Sequence, residues 1–342
     1  TLLVGSTPGQ NTNLSLKKVE GNRNFANKIW NAGRFILGAL NQVPQQAAAA
    51  PEWTLADSWV WAKVNALTRE AERLFENYQF GEAGRQIYEF FWGDFADWYL
   101  EIAKVQIAEG GDRAFYTAQT LVRVMDACLR LLHPFTPFVT EELWQALKKA
   151  ALEKGFGGYA AHQPWEEALI IARWPEAPAK EGWEEQKMAE FNQVQEVIRT
   201  IRNIRSEKKV QPNRKIAAIL VAGEKQALIG SQATVISTLA GINPADLKIL
   251  DHAEDIPENA ISAVAAGIEI FLPLAGMVDT TEEKSRLMRE FEETHAQIER
   301  LEKLLSSDFA NKAPAQVVEK ERQRLAAFRE TAEKLKNQIE NL

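Results

Sequence analysis

Seven cations fall close together in the middle of this sequence. Arg199, Arg202 and Arg205 recur every third residue on a stretch with helical periodicity, and Lys208, Lys209, Arg214 and Lys215 follow across Gln211-Pro212-Asn213. Glu207 alone interrupts them with an acid. The whole chain carries 40 Lys+Arg against 47 Asp+Glu, a formal net charge of −7, so this is a local basic stripe on an acidic molecule. Such a stripe suits a phosphate backbone, and it equally suits a solvated helix end whose cations oppose the helix dipole. A second set lies near the start. Asn27, Lys28, Trp30, Asn31, Arg34 and Phe35 mix amides, cations and aromatics along one stretch with helical periodicity. Those groups could hydrogen-bond and stack unpaired bases. Phe25 and Trp30 could instead be ordinary core.

Other chemistry finds little footing. The four histidines, His133, His162, His252 and His295, are widely spaced and form no HxxxH or HExxH pair, so no metal site is expected. Gly155-Phe-Gly-Gly158 follows no strand and lacks dinucleotide-loop spacing. There is no GxxxxGK[ST] and no GxSxG, and no catalytic residue can be nominated. The single cysteine, Cys128, rules out a disulfide framework and points to a reducing, cytoplasmic setting. The most apolar stretch, Asn259–Val278, holds Glu269, Pro273, Gly267 and Gly276; it reads as two short buried strands around a Gly turn rather than a membrane span.

Three differently built units would position these groups. All ten Trp lie between Trp30 and Trp183 and all five Tyr between Tyr78 and Tyr159, which confines the large-residue core to the first 205 residues or so. There, Phe25, Ile29, Phe35 and Ile36, then Leu67, Ala71, Leu74 and Tyr78, then Leu121, Val124, Cys128, Leu131 and Leu132 recur at three-to-four spacing, the mark of core-facing helices. From 206 to 276 the period changes. Ile216–Val221, Leu247–Leu250 and Ile268–Leu272 read as strands, with a helix over Gln226–Ala240, which makes a small α+β unit. The last unit steps through Leu287, Phe291, Thr294, Ile298, Leu301 and Leu305, and then Val318, Leu325, Phe328, Ala332, Leu335, Ile339 and Leu342, in heptad phase. A short connection around Ser306–Pro314 favours an antiparallel, monomeric hairpin with arms of roughly 35–40 Å. The competing reading is a coiled-coil scaffold that dimerises and touches no RNA.

Four blocks carry a resemblance. Arg23–Phe35 (RNFANKIWNAGRF), Asp94–Lys104 (DFADWYLEIAK), Leu132–Trp144 (LHPFTPFVTEELW) and Ile201–Ile216 (IRNIRSEKKVQPNRKI) resemble valyl-tRNA synthetases in order and spacing, and Phe309–Arg324 is similar to that family's terminal coiled-coil arm. The HPFxPFxxEELW block is shared with the isoleucyl and leucyl enzymes; the arm points to the valine enzyme. The resemblance implies a mainly α fold: a connector over 1–16, an anticodon-binding helical bundle of the class Ia type over 17–205, a small α+β junction over 206–276 and a coiled-coil arm over 277–342. It implies tRNA(Val) as partner, with the catalytic and editing domains of the same enzyme. ATP and Mg would belong to that catalytic domain, whose HIGH and KMSKS signatures do not occur in these 342 residues; this chain alone is expected to be inactive and free of cofactor. Asn27, Lys28, Trp30, Asn31, Arg34 and Phe35 would meet the anticodon. The Arg199–Lys215 cations would hold the tRNA backbone, and Phe309, Asn311 and Lys312 at the hairpin tip would touch the outer corner. Asn11 stands where the family usually has Asp.

Overall fold

The computed structural model describes residues 15–50, 52–159, 165–254, 256–257, 259–273, 280–306 and 315–340. The structure is mainly α. Helix α1 (Leu16–Gln42) opens on Ser15, whose side chain accepts from the Lys18 amide. Helix α2 (Leu55–Glu76) starts in a capping box, in which Thr54 and Asp57 each accept the other's backbone N–H. One long helical run follows as α3 (Phe80–Glu89), a wide-turn π stretch (Phe90–Tyr99) and α4 (Leu100–Ala108). Helices α5 (Gly111–Leu132), α6 (Pro137–Glu153) and α7 (Glu184–Glu207) complete the bundle.

The expected stripes face the core: Phe25, Ile29, Ile36, Leu67, Ala71, Leu74, Leu121, Val124, Cys128 and Leu131 are all buried. Tyr78 departs from its stripe. It lies beyond the end of α2 at φ 59° and is 77% exposed, because the chain turns there before α3 begins.

Two polar knots sit inside this apolar mass. Asp126 is fully buried and accepts from Arg130 Nε (2.9 Å), Trp144 Nε1 (2.7 Å) and the Tyr159 amide (2.7 Å). A Cβ on Gly158 would lie 2.6 Å from the Asp126 carboxylate, so the loop closes over it only with glycine there. Asp57 accepts from Tyr99 Oη (2.7 Å) and pairs with Arg113 (3.2 Å), joining α2 to the π stretch and α5. Buried charge is tolerated where it is hydrogen-bonded, and at both knots each carboxylate oxygen accepts at least one hydrogen bond.

The α+β unit is a four-stranded sheet in the order β2-β1-β4-β3. Strand β1 (Ile216–Val221) lies parallel to β2 (Ile242–Leu250) and antiparallel to β4 (Ile268–Pro273), which forms a hairpin with β3 (Ala260–Ala265). The hairpin turns at Ala266 and Gly267, both at positive φ, as a two-residue turn of this hand requires. The expected single helix is two, α8 (Gln226–Ser231) and α9 (Ala233–Ala240), broken at Gln232.

Helices α10 (Thr280–Leu305) and α11 (Ala315–Glu340) pack against each other as the terminal hairpin. Ile298, Leu301, Val318 and Ala332 are buried, while Phe291, Thr294, Leu305, Leu325, Phe328 and Leu335 are half-buried. Arg329 reaches across to Glu302 at 2.6 Å.

Candidate nucleic-acid interface

Helix α1 buries one face and displays the other. Gly33 is buried against α6, where a Cβ would stand 2.6 Å from a methyl of Leu143, so glycine lets the two helices approach. Phe25 resolves as core: its ring meets Tyr88 at 4.4 Å, Phe91 at 5.8 Å and Trp92 at 6.2 Å. On the opposite face Arg23, Asn27, Trp30, Asn31 and Arg34 are exposed at three-to-four spacing, one above another. Trp30 is 41% exposed, and a Trp half in water is free to stack.

Lys28 and Phe35 lie on the flank of that stripe, half-buried, and both meet the π–α4 run. Lys28 Nζ pairs with Asp97 Oδ1 at 2.6 Å and sits 5.3 Å from the Trp92 ring centre. The Lys104 ammonium stands 5.7 Å from the Phe35 ring centre and pairs with Glu101 at 2.7 Å. The α1 face thus offers two amides that donate and accept, two exposed guanidiniums and an indole face. That is a chemistry for unstacked bases.

The basic stripe of α7 does not survive as one surface. Arg199 is exposed and lies over the Trp98 ring at 5.2 Å. Arg202 lies over the same ring at 5.3 Å, and its Nε donates to the Leu239 carbonyl at 2.7 Å. Arg205 is only 8% exposed, and its guanidinium donates to the carbonyls of Gly241 (3.0 Å), Gln211 (3.3 Å) and Arg214 (2.9 Å). Burial pushes the pKa of both Arg202 and Arg205 down from the usual guanidinium value. Arg205 thus gives its guanidinium to three backbone carbonyls and Arg202 gives its Nε to one, so both bind the α+β unit to α7, although Arg202 remains exposed.

Lys208, Lys209 and Lys215 are exposed and Arg214 is half-buried. Lys209 adopts φ 53°, and the amide of Val210 returns to the Arg205 carbonyl at 2.9 Å, which closes the helix end. Arg205 thus ties down the loop that displays these lysines. Phe309, Asn311 and Lys312 lie outside the described residues.

Trp98 and Asp97 escaped sequence reasoning as organisers, although both stand in the Asp94–Lys104 block. The π stretch carries Asp94, paired with Lys63 at 3.2 Å, as well as Asp97. It places Trp98 beneath α7, linking the α1 face to the α7 face; wide helical turns of this kind are frequent at functional sites. Among the described residues, no group of three or more His, Cys, Asp and Glu could hold a metal, and no helix is long and apolar enough to cross a membrane.

Comparison with known proteins bears on this geometry. Residues 57–220 match the anticodon-binding domain of tRNA ligases, and residues 279–342 match the valyl tRNA synthetase tRNA binding arm. The chain belongs to the valyl-tRNA synthetase family. It is 37% identical over 344 residues to the valine--tRNA ligase of Carboxydothermus hydrogenoformans, covering 99% of this chain and 37% of that protein. It is 34% identical over 348 residues to that of Geobacillus stearothermophilus, again covering 37% of the relative, and 35% identical over 326 residues to that of Bacillus subtilis. The chain therefore spans little more than a third of the length of these relatives. The helical bundle and the hairpin of this family member are its anticodon-binding domain and its arm.

Proposed function

We propose that the chain recognises tRNA(Val) for a valine--tRNA ligase, gripping the tRNA far from the amino-acid end. The observation that carries this reading is the exposed α1 stripe of Arg23, Asn27, Trp30, Asn31 and Arg34, on a helix packed against the bundle whose residues 57–220 match the anticodon-binding domain. In this reading the amides of Asn27 and Asn31 and the Arg34 guanidinium read base edges, and Trp30 stacks. Lys28 and Phe35 close one side.

Lys208, Lys209, Arg214 and Lys215, with Arg199, hold backbone phosphate, and the arm, tipped by Phe309, Asn311 and Lys312, lies along the outer corner of the tRNA. Binding energy collected here orients the acceptor end for chemistry performed by the catalytic part of the enzyme, where ATP and magnesium act. The units run as a connector over 1–16, the bundle over 17–205, the junction over 206–276 and the arm over 277–342. In this reading the protein works in the cytoplasm as a monomer; the packing of α10 against α11 supports a hairpin within one chain. No observation favours the scaffold reading.

The test is direct binding of the purified chain to tRNA(Val) and to an unrelated RNA hairpin at moderate salt. Preference for tRNA(Val) supports the reading; equal affinity for both removes it.

A further inference from the structure

A cleft of about 440 Å³ opens where the bundle meets the α+β unit, lined by Glu101, Lys104 and Val105 of α4, Arg202 of α7, and Thr238 and Leu239 of α9. Ligand clefts span about 300–1,000 Å³, so this one suits a small planar group. Val105 and Leu239 are half-buried and give it an apolar lining, while Lys104, Arg202 and Thr238 are exposed.

The cleft adjoins the α1 face. Lys28 pairs with Asp97 and Phe35 lies against Lys104, and the same offset of 69 residues separates both pairs, so α1 and the π–α4 run lie side by side in parallel. Glu101 therefore comes level with the turn of α1 that carries Asn31 and Arg34. Nucleotides crossing those two residues meet Glu101 next, and then Arg202.

A carboxylate is a poor neighbour for an RNA backbone unless it meets a donor. Glu101 gives Oε1 to Lys104 at 2.7 Å, and a carboxylate has further acceptor sites beyond that one. Burial lowers the pKa of Arg202, and Glu101 and Asp97 stand near enough to oppose that shift. The bond from Arg202 Nε to the Leu239 carbonyl fixes the guanidinium over Trp98 at the cleft, where its terminal amino groups suit a phosphate oxygen. The exocyclic amines of adenine and cytosine donate where guanine and uracil present carbonyl oxygens at the same ring position. Glu101 accepts from the first pair and repels the second.

We propose that this cleft takes one unstacked tRNA base, adenine or cytosine, with its amine on Glu101, its ring between Val105 and Leu239, and its phosphate on Arg202. The α+β unit then forms one wall of the base-reading site, through Thr238 and Leu239. The inference rests on the tRNA reading above and deepens it, adding a specificity-determining carboxylate and a second unit to the α1 face.

The experiment titrates the 342-residue chain with synthetic tRNA(Val) in which each adenine or cytosine of the anticodon loop is replaced, one at a time, by its amine-free analogue, purine or pyrimidin-2-one riboside. At one position the parent is expected to lose at least tenfold in affinity, while Glu101→Ala binds intact and substituted tRNA within twofold of each other. Removing a carboxylate strengthens binding of any RNA, and the ratio between the two tRNAs cancels that effect. Thr238→Trp fills the cleft from the exposed side of α9 and is expected to weaken binding of intact tRNA at least fivefold with helical content unchanged. The proposal is overturned if no amine matters to the parent, if Glu101→Ala keeps the parent's discrimination, or if Thr238→Trp binds as tightly as the parent. A parent with no preference for tRNA(Val) over an unrelated hairpin would overturn the tRNA reading itself.

Discussion

Arg205 donates to the carbonyl of Gly241 at 3.0 Å, across a turn whose glycine stands at φ +68°. A Cβ at that glycine would lie 3.0 Å from the guanidinium carbon, so the left-handed turn and the buried arginine fit only together. Through this pair α7 carries the α+β unit and, beyond it in the chain, the arm.

Gly241→Ala and Arg205→Gln should both destabilise the chain. The first adds a clash to a left-handed backbone, about 1–3 kcal/mol. The second leaves buried carbonyls without donors, again about 1–3 kcal/mol. Urea denaturation checks both, and the double variant should lose less than the sum because the two residues touch. Strict additivity would show that they do not act as a unit.

Removing the displayed lysines should do the reverse. Lys208→Ala, Lys209→Ala and Lys215→Ala together are expected to leave the melting temperature unchanged while weakening tRNA binding. The slope of log affinity against log salt should fall by roughly 0.7 for each phosphate that is no longer neutralised. An unchanged slope would clear these lysines of the role.

Much of the architecture was open to reading. Heptad phase located the arm's seam at Ile298, Leu301, Val318 and Ala332, because a two-helix seam depends on little besides spacing. The split of the basic stripe was hidden. Arg199, Arg202 and Arg205 share one spacing, and what separates them are carbonyls at Leu239 and Gly241, reached only through the fold. Tyr78 continues a helical stripe by its spacing, yet the chain has already left the helix there. The π stretch is invisible to a 3.6-residue period, which is why Asp97 and Trp98 went unassigned.

The Asp126 knot should be the costliest core site to break. Asp126→Ala leaves the Trp144 and Tyr159 donors and Arg130 Nε unmet in the interior, at about 3–5 kcal/mol. A loss under about 1 kcal/mol in denaturant titration would mean that water replaces the carboxylate.

His133 makes stability depend on pH. Burial lowers its pKa below the usual 6.5, a shift partly opposed by nearby Glu141, and its Nδ1 lies 2.8 Å from Thr140 Oγ1. The unfolded state then binds the proton more readily, so stability is retained above 6.5 and lost as pH falls below it. His133→Gln should flatten the drop in melting temperature between pH 7 and pH 5; an identical drop would place its origin elsewhere.

The measurement that reaches furthest compares tRNA(Val) with the same tRNA carrying an altered anticodon, each titrated against the parent chain and against Asn27→Ala/Asn31→Ala/Arg34→Ala. The parent should prefer the intact anticodon at least tenfold, and the triple variant should bind both tRNAs equally with its fold intact. If the variant kept the parent's preference, the exposed face of α1 would not be what reads the anticodon.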